Sequence, residues 1–118
     1  MLDYLILALV LPATTYQWGE QKCGQDVPIA CAHGAVTASG EELSDDIPSA
    51  ALPLPKENRM RPTVVRLTSW TGACVSVRVN DKSNPRWIGK RGLDLNKAAL
   101  ILLVEDAHEN WQGEVEQC

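Results

Sequence analysis

The stretch Val75-Ser76-Val77-Arg78-Val79-Asn80-Asp81, running on into Lys82-Ser83-Asn84-Pro85, decides how the rest of the chain is read. Three valines alternate with Ser76, Arg78 and Asn80, the period of two that marks a strand with one buried and one wet face. Just upstream, Thr63-Val64-Val65-Arg66-Leu67-Thr68 is a second β-run, and the connection Ser69-Trp70-Thr71-Gly72-Ala73 has hairpin length and a glycine. A β-hairpin over residues 63–79 is therefore predicted. At its end Asn80 and Asp81 stand before a turn-forming Ser-Asn-Pro. An aspartate there is either a turn former or, at the mouth of a β-structure, an acid or base.

Composition agrees with a β-rich unit. The chain has 118 residues, enough for one domain with one core, and its 45% apolar and 22% charged content is ordinary for a globular protein. Seven prolines, eight glycines and no phenylalanine favour short strands joined by many turns. The formal net charge is −4 and no Lys/Arg run occurs, which argues against nucleic acid as a partner. Cys23, Cys31, Cys74 and Cys118 include no Cys-x-x-Cys pair, and only His33 and His108 are at hand to complete a set, so no metal site is expected. An even cysteine count in a small domain reads as two disulfides in an oxidising compartment, with three connectivities open; four buried thiols are the alternative. Nothing in the chain calls for a cofactor.

Outward from the hairpin, residues 1–13 carry an apolar run of about ten residues, too short for a membrane-spanning helix. They read either as a signal-like segment, although Asp3 replaces the usual basic residue and no Ala-x-Ala follows, or as an arm docked on the domain or on a neighbouring subunit. The domain proper is drawn over 14–118. Thr14–Trp18 is β-prone, and Cys23–His33 reads as a loop that Cys23 and Cys31 can staple. The prolines of Ile47–Pro55 argue against both a helix and a central strand there. After a loop at Lys82–Arg91, Asn96 is a good N-cap for a short helix, Lys97–Leu103, apolar nearly all round and so expected to be buried on more than one side. Asp94, just before it, reads as a cap or a salt-bridge partner of Arg91. Trp111–Gln117 gives a last strand, with Val115 flanked by Glu114 and Glu116.

Taken in order and spacing, Thr37-Ala38-Ser39-Gly40-Glu41, Leu52-Pro53-Leu54-Pro55, Val77-Arg78-Val79-Asn80-Asp81 and Leu93-Asp94-Leu95-Asn96-Lys97-Ala98-Ala99 resemble the rare lipoprotein A family over roughly residues 16–117. The resemblance implies a mainly β fold, a six-stranded double-psi β-barrel with one short helix, shared with barwin, expansins and family-45 endoglucanases. It implies a groove across one face that acts on peptidoglycan glycan strands, either as a lytic transglycosylase or as a non-catalytic binder. Carried over residue by residue, Asp81 is the acid/base and Glu41 the second functional carboxylate. Asn80, Trp87, Arg86 and His33 are candidate substrate-binding residues, Trp87 as a platform for a sugar face and Arg86 with Lys90 and Arg91 as partners for a muramyl carboxyl.

The chemistry suits a carboxyl group. A carboxylic acid can protonate the leaving glycosidic oxygen as an oxocarbenium-like centre forms. The resulting carboxylate can then take the proton from the muramic acid 6-hydroxyl as that oxygen closes on the anomeric carbon. Glu41 would stabilise positive charge or keep its partner protonated by like-charge repulsion. The chain departs from the family in two places. No histidine follows Ala50-Ala51, a role His33 is the candidate to fill, and the family's Asn-Asp-Arg-Gly-Pro stands here as Asn80-Asp81-Lys82-Ser83-Asn84-Pro85, with lysine for arginine and one residue inserted. The resemblance implies the bacterial envelope; the apolar N-terminal segment and small size also suit a phage tail that acts there, and a structural virion or envelope barrel is the third class.

Overall fold

A computed structural model of the chain describes residues 10–15, 36–42, 46–69, 72–90 and 92–118. Six strands close into a barrel: β1 (Val10–Thr15), β2 (Ser49–Pro53), β3 (Thr63–Thr68), β4 (Cys74–Ser83), β5 (Leu93–Leu95) and β6 (Gln112–Gln117). One short helix, α1 (Lys97–Leu103), lies between β5 and β6. Around the barrel the order is β1-β5-β2-β4-β3-β6. Of consecutive strands, only β3 and β4 are neighbours; each other connection steps over one strand. This interleaving produces two parallel pairs, β1 with β5 and β2 with β4, among otherwise antiparallel neighbours. Among the described residues, the mainly β, closed six-stranded barrel with one short helix is as predicted. No described helix is long and apolar enough to cross a membrane.

Closure leaves no free edge, and the inward side chains fill the interior. Leu11 and Ala13, Ala50 and Leu52, Val65 and Leu67, Val77 and Val79, Leu93 and Leu95, and Val115 form one core, which Leu100, Leu103 and Trp111 extend. Period-two alternation is clean in β3, where Val65 and Leu67 are buried between more exposed neighbours, whereas in β6 Val115 is the one buried residue. The predicted hairpin pairs Thr63 with Val79 through to Thr68 with Cys74. A Cys74–Cys118 disulfide joins the start of β4 to the residue after β6. Cys23 and Cys31 lie outside the described residues, and only one of the three connectivities contains the observed bond.

Several expectations need correcting. Ile47–Pro55 does contain a central strand: β2 is wholly buried and pairs with both β4 and β5. Its prolines sit where they cost little. Pro48 precedes the strand and offers its carbonyl to the Arg78 N–H, and Pro53 is the last residue, so Ser49-Ala50-Ala51-Leu52 keeps its N–H groups. The helix is buried on one side only, through Ala98, Ala99, Leu100 and Leu103, with Ile101 and Leu102 exposed at 53% and 52%. Asp94 is no cap. It lies in β5 and accepts a hydrogen bond from Thr14 Oγ1, while Asn96 caps α1 by accepting from the Ala99 N–H. Arg91 is outside the described residues. The loop placed from Lys82 begins later, because β4 runs on through Lys82 and Ser83. The boundary drawn at residue 13 falls inside β1; residues 1–9 and 16–18 are outside the described residues.

Gly92 marks a close approach of β5 to β1. A Cβ there would collide with the Pro12 carbonyl oxygen, which is backbone and cannot swing away. Gly92→Ala is therefore expected to loosen the β1–β5 parallel pair and to cost about 1–3 kcal/mol, read as a lower urea midpoint with earlier amide exchange in β1.

Candidate functional site

The site grows from an irregularity in β4. Against β2, Ala50 stands opposite Val79 but Ala51 stands opposite Asp81, so Asn80 is one residue too many for its partner strand. Such a bulge re-aims the side chains that follow it. It also explains why the alternation of residues 75–79 stops: Asn80, Asp81, Lys82 and Ser83 are all buried. Asp81 is not in a turn at the strand's end but inside the strand, 2% exposed.

What covers it is the block 37–41. Thr-Ala-Ser-Gly-Glu folds into a tight turn: the Thr37 N–H donates to the Glu41 carbonyl, the Gly40 N–H donates to the Thr37 carbonyl, and Thr37 Oγ1 accepts from the Glu41 N–H at 3.2 Å. Gly40 takes a φ of 91°, in the left-handed region that favours glycine. The turn then docks on the bulge. The Ser39 N–H donates to the Asn80 carbonyl at 3.1 Å, and the Ala38 N–H donates to Asp81 Oδ1 at 2.9 Å. The same Oδ1 accepts from the Lys82 N–H at 2.8 Å, so one edge of this carboxyl is fixed by two backbone donors.

Glu41 closes the arrangement from outside. Arg78 Nε lies 2.8 Å from both carboxylate oxygens, its terminal nitrogen lies 2.6 Å from Oε2, and Asn80 Nδ2 donates to Oε1 at 3.1 Å. The Arg78 hydrogen bond is the main influence holding the Glu41 carboxyl below its ordinary pKa, with partial burial opposing it and Asn80 adding to it. Glu41 in turn raises Arg78. A carboxylate neutralised in this way cannot supply the like-charge repulsion expected of it; it clasps the turn to β4. Because its folded pKa is depressed, this contribution to stability is present above the ordinary carboxylate range and is lost as pH falls through the folded value. Wild type and Glu41→Gln are accordingly expected to differ in urea midpoint at pH 7 and to converge as the pH is taken well below 4.5, the unperturbed value.

Of the other candidates, Arg86 and Trp87 lie in the turn that follows β4, and His33 is outside the described residues. Trp87 ends a single 3₁₀ turn, Pro85–Trp87, initiated by Asn84, whose side chain accepts from the Arg86 N–H. The Arg86 guanidinium lies over the Trp87 ring, 4.7 Å from its centroid, so one ring face is taken. His33 and Trp70 lie outside the described residues, and Trp111 is in the core. Beside the 37–41 turn runs a groove of about 1010 Å³ between residues 36–40 and residues 56–60, with Lys82 in its wall. Sequence reading passed over Arg78 and Lys82. Arg78 carried a signal, since it shares the outward row of the strand with Asn80; Lys82 carried one only as the lysine that stands where the resemblance has an arginine, and its burial none without the bulge. No protein-family model and no curated protein matches the chain.

Proposed function

We propose that this barrel recognises peptidoglycan glycan strands and cleaves them as a lytic transglycosylase, in the bacterial envelope or from a phage tail that acts there. What supports the reading is the meeting of two blocks about forty residues apart in sequence: the 37–41 turn rests on residues 78–81, its Ala38 N–H on the Asp81 carboxyl. These are two of the four stretches that resemble the rare lipoprotein A family, and both of the resemblance's carboxylates lie in them.

In this reading the glycan occupies the groove beside the turn, and the turn lifts to bring Asp81 to the bond. Lifting costs the Ala38 bond to Asp81 and the Ser39 bond to the Asn80 carbonyl, and leaves Oδ1 with the Lys82 N–H as its backbone donor. Asp81 then protonates the glycosidic oxygen and, as a carboxylate, receives the proton of the muramic acid 6-hydroxyl. Glu41 and Arg78 set how readily the turn opens. A second reading, a barrel that binds glycan without cutting it, is favoured by the burial of Asp81 and by the neutralisation of Glu41. Incubation with purified sacculi separates the two. Release of 1,6-anhydro-muropeptides by wild type supports the enzyme, and co-sedimentation without release supports the binder. A protein that neither sediments with sacculi nor releases product contradicts both.

A further inference from the structure

Lys82 is a charged group in an unusual setting. It is 6% exposed, yet among the described residues no carboxylate stands within ion-pair distance. A buried ammonium is tolerated only where its donors are met. Two of them are: Nζ donates to the carbonyl of Lys56 at 2.9 Å and to that of Asn58 at 2.8 Å. An ammonium has three N–H donors, and carbonyls carry no charge to balance it. The residue also lines the groove.

The groove around it has a matching character. Lys56 and Arg59 stand with Lys82 along it, against one carboxylate, Glu57, among the described residues that line it, in a chain whose net charge is −4. Val36, Ala38 and Met60 supply apolar surface beside these cations. A ring with one apolar face and a carboxylate substituent fits both, the ring on the apolar patch and the carboxylate on the third donor of Lys82. We propose that this groove is a binding site for carboxylated saccharides, with the Lys82 ammonium as the fixed cationic contact and Arg59 and Lys56 as a looser cationic rim. The inference rests on the glycan reading above for the kind of sugar, but not for the carboxylate.

The full chain is titrated by amide NMR with three probes of equal length: a tetrasaccharide alternating N-acetylglucosamine and N-acetylmuramic acid, tetragalacturonate, and neutral chitotetraose. Anionic probes are expected to shift residues 36–40 and 56–60 and to bind about tenfold more tightly than chitotetraose, the factor of one charge-assisted hydrogen bond. Lys82→Met should remove that preference and Lys82→Arg should keep part of it. If loss of the two carbonyl contacts unfolds Lys82→Met, Arg59→Gln, an exposed change, should still flatten the salt dependence of anionic binding. Binding of tetragalacturonate with none of the muramyl probe supports the carboxylate site and contradicts peptidoglycan as the ligand. Equal binding of neutral and anionic probes, or no shift at 36–40 and 56–60 with any of them, overturns the proposal.

Discussion

Replacing Asn96 by alanine is expected to lower the unfolding free energy by about 3–4 kcal/mol, through one N-cap and several buried polar groups left without their partner. The residue is 0% exposed and belongs to no strand or helix, yet it ties α1 to β2 and to Ile47 ahead of that strand. Its Oδ1 accepts from the Ala99 N–H, capping α1, and from the Ser49 N–H at the start of β2. Its Nδ2 donates to the Ile47 carbonyl and to Ser49 Oγ, and its own N–H donates to the Ser49 carbonyl. Alanine removes all the side-chain bonds at once, and the cost of groups stranded in the interior exceeds the value of the bonds themselves. Asn96→Asp is not expected to rescue, since it keeps the acceptor but loses both Nδ2 donations and buries a carboxylate. Urea unfolding checks this: the midpoint should fall at unchanged slope, whereas Lys97→Ala, an exposed change beside it, should leave it within about 0.5 kcal/mol. A loss below about 1 kcal/mol for Asn96→Ala would mean that water replaces the side chain and that this junction is not closed.

The second large effect is expected from the disulfide. Cys74 and Cys118 are 44 residues apart in sequence, and tying a loop of that length removes chain entropy worth about 4 kcal/mol from the unfolded state. The barrel gives this bond a further duty, because β6 reaches β3 through only two register pairs, Leu67 with Gln117 and Thr68 with Glu116. Beyond them the Cys118 N–H donates to the Arg66 carbonyl, and the disulfide holds the end of the chain at the start of β4. The Cys74→Ser, Cys118→Ser double variant is expected to lose about 3–4 kcal/mol and to show earlier amide exchange in β6 than in β2. Uniform exchange across the barrel would place closure elsewhere.

How much of this was readable beforehand differs from element to element. The β3–β4 hairpin and β6 were legible because each has one face in the core and one in water, and a two-sided strand writes its period into the sequence. The helix was legible from its cap: Asn96 before a run of good helix formers. β2 was hidden because it is buried on both faces and brief, so Ser-Ala-Ala-Leu-Pro shows no alternation, and the prolines at its edges looked like prohibitions when they are borders. β5 is three residues long, below what any pattern resolves. In the site, Asp81 was legible as a candidate from its place at the end of a strand pattern, and Glu41 only through the resemblance. Their roles in the fold were not, because a bulge has no signature in a single sequence: without the extra residue at Asn80, neither the burial of Asp81 nor that of Lys82 follows.

The central claim, that Asp81 cleaves glycan strands once the 37–41 turn lifts, is tested most directly by mass spectrometry of sacculus digests made with wild type and Asp81→Asn. Asparagine keeps an oxygen for the Ala38 and Lys82 N–H groups, so the barrel and the turn should stand, but its amide can neither protonate the leaving oxygen nor take up the hydroxyl proton. Wild type is predicted to release 1,6-anhydro-muropeptides and the folded Asp81→Asn protein none. Equal release by the two, or none from wild type, would contradict it.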